Sequence, residues 1–451
     1  MYNLIDSSYF SGRDLLRDSL SFSPDSPHLT FHPGITFTHQ KPRCERCGNQ
    51  QVHLFASFPC SRCQKECLYC RNCIMMGRVA ECSELVRWTG PIPDHPVSAG
   101  ELHWKGQLSD GQQAASDAVV LAIESQNELL VWAVCGAGKT EVLFHGIAAA
   151  LKANQRVCLA TPRTDVVLEL APRLQEVFPH LEVAALYGGS PDRDKYSPLV
   201  ITTTHQLFRY HQAFDVMVVD EVDAFPYTLD PTLHYAVKKS RKPSSALIYL
   251  TATPSLEWQE ECQSGKRNVV TIPARFHRHP LPVPEMQWIG RWKKAIDKGK
   301  LPAVLEKWVS ERLAIKKPVL VFFPHIETME KALPIFQTLD PRIQSVHSED
   351  PDRKEKVNQM RKQEMPLLLT TTILERGVTI TNVDVAVVGA EDDTFTESAL
   401  VQISGRAGRK ADFPDGNITF FHFGRTNAML QAISHIERMN KQGRERRLID
   451  G

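Results

Sequence analysis

No stretch of about 18 uncharged apolar residues occurs in the 451-residue sequence, so no membrane-spanning helix is expected. The first eighteen residues mix acidic, polar and apolar types, with no basic start, apolar core or small-residue cleavage site, and no secretory leader is expected. A surplus of either charge is lacking too: 53 Lys and Arg against 52 Asp and Glu leave a formal net charge of +1. Any electrostatic footprint for a polyanion must therefore be local. The expected compartment is the cytoplasm, with peripheral docking at the inner face of the membrane left open.

Cysteine, by contrast, is plentiful and clustered: eight of the eleven lie between Cys44 and Cys82. In a cytoplasmic chain that clustering points to thiolate metal ligands rather than disulfides. Paired Cys-x2-Cys knuckles give Zn²⁺ a tetrahedral cage that can fold a segment too small for an apolar core. An interleaved arrangement sets Cys44, Cys47, Cys70 and Cys73 around one ion, and Cys60, Cys63, Cys67 and Cys82 around a second. Cys44 and Cys47 with Cys60 and Cys63 also have an ordinary zinc spacing, so both partitions stand. Residues 41–88 carry eight Lys or Arg against four Glu. Each four-thiolate zinc centre carries −2, so this surplus of +4 falls to +2 with one ion and to zero with two. The module reads equally as a nucleic-acid surface and as a docking element.

The chemistry concentrates further on. Ala133-Val-Cys-Gly136-Ala137-Gly138-Lys139-Thr140-Glu141 follows an apolar, strand-like run and precedes a helical pattern, the setting of a phosphate-binding loop. Gly136 and Gly138 permit the tight turn, Ala137 sits between them, and the helix start adds its positive dipole end. Lys139 is expected on the β- and γ-phosphates of ATP and Thr140 on Mg²⁺. Gln112, just after the helix start at Ser109, is the candidate for the adenine edge. Phe214-Asp-Val-Met-Val-Val-Asp220-Glu221-Val-Asp223 delivers two carboxylates to the end of a buried strand: Asp220 for Mg²⁺ and Glu221 for the attacking water.

Alternating strand and helix patterns indicate parallel sheets with crossover helices. Polar residues at the strand ends, Arg163, Thr204 and later Thr372, are candidate contacts to a nucleic-acid backbone. Residues 272–301 hold four prolines, seven Lys or Arg against two acids, and the aromatics Phe276, Trp288 and Trp292. Cations interleaved with aromatics are what single-strand binding uses, and Arg275 and Trp292 are the candidates there. A second α/β unit carries Glu375-Arg376-Gly377, with Gly377 counted among the nucleotide-binding positions. It also carries Gln402-Ile-Ser-Gly405-Arg406-Ala-Gly408-Arg409, read as a helix entry with Arg406 and Arg409 on one face as arginine fingers.

In order, Gly-Ala-Gly-Lys-Thr, Asp-Glu-Val-Asp, Thr251-Ala-Thr253, Glu-Arg-Gly and Gln-x-x-Gly-Arg-x-Gly-Arg resemble superfamily 2 helicases over residues 105–425. Gln402 at the head of the last motif is closer to DNA motors such as PriA than to DEAD-box RNA helicases. Trp132 to Glu141, Ala160 to Leu170, Asp220 to Tyr227 and Cys70-Arg-Asn-Cys-Ile-Met-Met-Gly-Arg78 are similar to the late competence helicase family ComFA. That resemblance implies a zinc module ahead of the motor, with knuckles at Cys44 with Cys47 and Cys70 with Cys73. It implies an ATP-driven single-stranded DNA translocase serving DNA uptake, and a partner like the phosphoribosyltransferase-like ComFC. The four extra cysteines depart from the family's pattern.

The expected architecture is α/β: two RecA-like parallel-sheet lobes preceded by a small zinc-binding module. Residues 1–40 read as an N-terminal arm, 41–92 as the zinc module, 100–270 as lobe 1, 271–302 as a basic aromatic linker, 303–428 as lobe 2 and 429–451 as a charged, solvated tail. The rival functions are a PriA-like replication-restart helicase, an RNA helicase, and a partner-gated ATPase switch on a zinc scaffold.

Overall fold

The computed structural model describes residues 7–20, 26–376 and 379–450. Short strands come first: β1 (Asp14–Leu16), β2 (Leu29–Pro33), β3 (Ile35–Thr38), β4 (Lys41–Cys44), β5 (Phe55–Cys60), β6 (Lys65–Cys70), β7 (Val79–Ala80) and β8 (Glu84–Trp88). They pair antiparallel in the orders β1-β8-β2, β3-β4 and β5-β6-β7. The first forty residues are thus no separate arm, because β1 and β2 flank β8. Phe10, Leu15, Leu29 and Val86 bury their side chains together. Strands of three and five residues are too short to show a period, which is why the pattern did not announce them.

Lobe 1 carries β9 (Glu128–Ala133), β10 (Val157–Thr161), β11 (Ala184–Leu186), β12 (Leu199–Thr203), β13 (Phe214–Val219), β14 (Arg241–Thr251) and β15 (Val269–Ile272). Their order, β11-β12-β10-β13-β14-β9-β15, is parallel throughout. The helices are α1 (Asp110–Glu124), α2 (Lys139–Lys152), α3 (Thr164–Val177), α4 (Pro231–Ser240) and α5 (Leu256–Gln263). Lobe 2 has β16 (Glu285–Trp288), β17 (Val319–Phe322), β18 (Gln344–Val346), β19 (Leu367–Thr370), β20 (Asp384–Val388) and β21 (Ile418–His422), also all parallel, ordered β16-β21-β20-β17-β19-β18. Its helices are α6 (Trp292–Asp297), α7 (Ala303–Ala314), α8 (Ile326–Gln337), α9 (Arg353–Arg361), α10 (Glu397–Ser404) and α11 (Asn427–Glu445). Central strands buried end to end, such as β17, β19, β20 and β21, are what a parallel sheet covered on both faces requires.

Two expected boundaries are corrected. The linker is largely built into the lobes: β16 forms the edge strand of the second sheet, and Trp292 opens α6 at 1% exposure. The tail is not solvated. Helix α11 buries Met429, Ala432, His435, Ile436 and Met439, a helical stripe beneath charged outer positions, and it returns to lobe 1. His435 lies 5.7 Å from the Trp132 ring, Arg438 donates to Gln259 at 2.9 Å, and Asn440 clasps the backbone N–H and C=O of Leu281 at 2.7 and 2.8 Å.

The cysteine module is bolted to lobe 1 through α4. Lys239 Nζ, fully buried, donates to Asp14 at 2.6 Å, the Arg46 carbonyl at 2.9 Å and the Phe208 carbonyl at 2.8 Å. Asp14 also accepts from Arg87 at 2.8 Å. Burial pushes the Asp14 carboxyl up, but Lys239 and Arg87 outweigh it and hold it below the ordinary carboxylate range. Removing one partner of such a pair strands the other in a dry site. Lys239→Ala is expected to cost about 3–5 kcal/mol in urea denaturation of the full chain; a loss under about 1 kcal/mol would contradict the joint.

Candidate active site in the cleft between the lobes

The turn from β9 to α2 is the phosphate loop. Gly136 and Gly138 hold φ of +83° and +73°, the left-handed region that favours glycine, and a Cβ on Gly138 would stand 2.3 Å from Gln112 Nε2. Lys139 Nζ donates to the Ala133 carbonyl at 3.2 Å, across the base of the loop. Gln112 braces the loop rather than presenting a free amide to adenine. Its Oε1 accepts from Ser109 N–H at 2.9 Å in a capping box, and its Nε2 donates to the carbonyls of Ala137 and Gly138 at 2.9 and 3.5 Å.

From the end of β13 come the carboxylates. Asp220 is buried and accepts from Glu221 N–H at 2.8 Å. Burial, then the charge of Glu221, push its carboxyl up to about 6 against the pull of Lys139. Glu221 is held at φ +53°, and its buried Oε2 has no hydrogen-bond partner. A carboxylate oxygen that makes no hydrogen bond and has only the Arg376 guanidinium 3.9 Å away is the chemistry that orients or deprotonates water.

Lobe 2 closes the cleft with Arg406 and Arg409. They lie in the turn after α10, not on a helix entry as the spacing suggested. The helix stops at Ser404, and Gly408 turns the chain at φ +63°. Arg406 donates through Nε and Nη2 to the Glu375 carbonyl at 3.0 and 2.6 Å, and Arg409 to the Gly405 carbonyl and the Thr379 hydroxyl at 2.9 and 3.1 Å. Burial, and for Arg406 the charge of Arg409 as well, push both guanidiniums below their usual range. Two desolvated cations side by side favour a polyanion between them. Lys139, Thr140, Asp220, Glu221, Arg406 and Arg409 line one cavity of about 470 Å³, within the range of small-molecule sites. Gly377 lies outside the described residues.

A feature not foreseen joins the lobes. Asp223 accepts from Arg376 Nη2 at 2.6 Å, Thr251 at 2.8 Å, Thr253 at 2.6 Å, Ser398 at 2.8 Å and Gln402 at 3.3 Å. Gln402 in turn accepts from Cys135 of the phosphate loop at 3.0 Å. Burial alone would raise the Asp223 carboxyl, but Arg376 and the hydroxyls hold it well below the usual range. The third acid of Asp-Glu-Val-Asp was the available signal.

The nucleic-acid candidates divide. Arg163 spans the cleft, donating to Asp165 at 3.1 and 2.8 Å and to the Ile373 carbonyl at 3.2 Å, and Thr372 begins a half-buried turn beside it. Three others are inside the protein. Thr204 is fully buried. Trp292 is core, with its Nε1 on Glu391 at 2.8 Å. Arg275 packs against Gly136 and donates to the Gly408 carbonyl, tying the phosphate loop to the arginine turn. Composition does not separate Trp292 from Trp288, which is 61% exposed and lies 6.5 Å from the half-exposed ring of Phe423, a residue that no motif singles out.

In the module, the Sγ atoms of Cys44, Cys47, Cys70 and Cys73 lie within 4.8 Å of one another, and so do those of Cys60, Cys63, Cys67 and Cys82. This is the interleaved partition; Cys44 and Cys47 do not meet Cys60 and Cys63 in one cluster. In the first set the Cys44–Cys73 and Cys47–Cys70 distances are 3.8 and 3.7 Å, matching the ~3.8 Å edge of a thiolate tetrahedron around Zn²⁺ with bonds of about 2.3 Å. Arg46 donates to Cys73 Sγ at 3.1 Å, and Asn49 and Asn72 to Cys70 and Cys47 at 3.7 Å each, as donors around a −2 centre should.

Residues 5–87 match the family model of the competence protein ComFA N-terminal domain, residues 105–256 that of the type III restriction enzyme res subunit, and residues 300–411 the helicase conserved C-terminal domain. Among solved structures, DEAD-box helicase Mss116 bound to ssRNA and UDP-BeF is 15% identical with a TM-score of 0.55, covering 72% of each chain. Mycobacterium smegmatis helicase Lhr bound to ssDNA and AMP-PNP is 16% identical with a TM-score of 0.53, covering 74% of this chain and 50% of that one. These likenesses carry the two-lobed fold. The helicase domains make the chain an ATP-hydrolysing helicase-type enzyme. It is 49% identical over 436 residues to competence protein ComFA of Bacillus subtilis (strain 168), covering 95% of this chain and 94% of that protein. It is 40% identical over 395 residues to competence protein ComFA of Streptococcus pneumoniae (strain ATCC BAA-255 / R6), covering 85% and 90%. With its cysteine module ahead of two helicase lobes, the chain belongs to the ComFA family.

Proposed function

We propose that this chain is an ATP-driven translocase on single-stranded DNA that draws transforming DNA into the cytoplasm during natural competence. One observation carries the motor reading: a single cavity takes its phosphate loop and carboxylates from one lobe and its arginines from the other, so nucleotide and lobe closure are coupled. The relatives named as competence proteins, alike over nearly their whole length, support the physiological part.

In this reading the N–H groups of Gly136, Ala137 and Gly138 and the start of α2 cradle the β-phosphate, and Lys139 leaves the Ala133 carbonyl for the β- and γ-phosphates. Thr140 and Asp220 would hold Mg²⁺, which would supply neutralising charge at the phosphates. Glu221 orients the attacking water with its unpartnered oxygen, and Arg406 and Arg409 meet the charge that develops at the γ-phosphate. Arg163 and Thr372, at strand ends on either side of the cleft, bind the DNA backbone. Cys44, Cys47, Cys70 and Cys73 hold a structural Zn²⁺, and the module they fold is the docking face for a ComFC-like partner. The protein works in the cytoplasm, at most peripherally at the membrane. Among the described residues no helix is long and apolar enough to cross a membrane.

Steady-state ATPase with single-stranded DNA, duplex DNA and RNA of equal length, at fixed salt because phosphate contacts are salt dependent, tests the substrate. Stimulation by single-stranded DNA, absent in Lys139→Ala, is expected. Stimulation by RNA alone would favour an RNA helicase, and none by any polymer a partner-gated switch. Arg409→Ala should lower stimulated turnover about 10³-fold while nucleotide binding survives; retained turnover would remove the finger assignment. Asp223→Asn should lower it about 10²-fold, because a neutral amide removes the nearest carboxylate from the buried Arg376 and leaves it only Glu375 at 3.4 Å and Glu221 at 3.9 Å.

A further inference from the structure

The four thiols outside the first cluster sit at the far end of the β5–β6 hairpin. Cys60 closes β5, Cys63 is in the turn, Cys67 is on β6, and Cys82 follows β7, which pairs with β6 through Tyr69↔Ala80 and Cys70↔Val79. All four Sγ atoms fall within 4.8 Å of one another, and Cys60 and Cys82 are 3.7 Å apart. That again matches the ~3.8 Å edge of a zinc–thiolate tetrahedron. Cys67 and Cys70 are three apart on one strand, an odd step that turns successive side chains to opposite faces. The strand therefore serves one cluster on each side and cannot serve both from one.

Little else holds this end together. Its apolar cluster consists of Cys60, Cys67 and Ala80, with Phe58, Cys63, Tyr69 and Cys82 partly buried around them. Four of the seven residues are the thiols themselves, too few apolar groups to fold a hairpin end unaided. All four are free cysteines.

We propose that Cys60, Cys63, Cys67 and Cys82 form a second four-thiolate Zn²⁺ site, separate from the Cys44, Cys47, Cys70 and Cys73 site and more readily exchanged. The two differ in surroundings. The inner four thiols are all buried, receive hydrogen bonds from Arg46, Asn49 and Asn72, and sit against lobe 1, where Asn72 reaches Thr232 at 3.3 Å and Tyr235 reaches the Glu45 carbonyl at 3.1 Å. In the outer set Cys63 and Cys82 are half-exposed, so water and competing ligands reach this ion first. Two such centres also bring the charge of residues 41–88 to zero, since eight Lys or Arg against four Glu meet −2 at each ion. The module then has no net charge to draw in a polynucleotide, which sets it apart from the DNA track in the cleft.

The test uses the full chain, purified under reducing conditions without added metal, with zinc and iron measured by mass spectrometry. Two zinc and no iron per chain are expected, falling to one zinc in Cys63→Ser/Cys82→Ser with nucleotide hydrolysis retained. Stepwise titration of the unaltered protein with a mercurial, following zinc release colorimetrically, should show two equal zinc steps of different rate. It settles the matter even if the double variant does not fold. One zinc per chain with a single release step, iron in place of the second zinc, or a Cys60–Cys82 disulfide in the reduced protein would each overturn the proposal. The metal counts and release steps do not depend on the motor reading, so the two can fail separately.

Discussion

A single buried carboxylate, Asp223, is the joint on which the two lobes meet. It lies just past the strand that delivers Asp220 and Glu221, and it gathers donors from the end of β14, from Arg376 and from α10. A charge this deeply buried is tolerated only with full pairing and hydrogen bonding. Separating the lobes breaks the Asp223–Arg376 pair at 2.6 Å and leaves Asp223 with Thr251 and Thr253 and Arg376 with Glu375. Because Gln402 passes a further hydrogen bond to Cys135 in the phosphate loop, events at the phosphates and the fit between the lobes share one network.

The module extends this logic without entering the cleft. Its anchor is α4, the helix that connects the strand of the carboxylates, β13, to β14, whose end supplies Thr251 and Thr253. Lys239 at the end of that helix holds Asp14 and the Arg46 carbonyl between the first two cysteines of the inner cluster. The inner cysteine cluster is thus part of the packing of lobe 1, whereas the thiols at the hairpin end pack in a small cluster of their own. On the other side α11 runs from lobe 2 back to Trp132 and Gln259 in lobe 1, a further tie across the cleft beside those of Arg163 and Arg275.

The sequence was most legible where chemistry restricts residue choice. The phosphate loop, the strand ending in Asp220 and Glu221, and the alternation of buried strands with helices all stand in the structure where the pattern put them, because glycine turns and period-free apolar runs have few alternative uses. Legibility failed where the deciding contact is distant in the chain. Trp288 and Trp292 are four apart and alike in composition, yet only the fold decides that one is exposed and the other is core. Thr204 at a strand end and Arg275 in a basic stretch read as surface groups, but the fold buries both. The spacing of Arg406 and Arg409 suggests a helix entry, whereas the helix stops at Ser404 before both and Gly408 turns the chain between them. The tail looked solvated because its charges hide a narrow apolar stripe. Asp223 stands in the Asp-Glu-Val-Asp motif with no role legible from the pattern, since its partners lie up to 179 residues away.

The account stands or falls on movement along a strand, which neither ATP hydrolysis nor DNA binding alone demonstrates. The direct measurement is ATP-dependent displacement of streptavidin from single-stranded DNA biotinylated at one end or the other, with excess free biotin to capture what is released. The account predicts displacement that requires ATP hydrolysis and is strongly favoured at one of the two ends. Hydrolysis stimulated by single-stranded DNA with streptavidin left in place at both ends would contradict it, leaving an ATPase that closes on DNA without travelling.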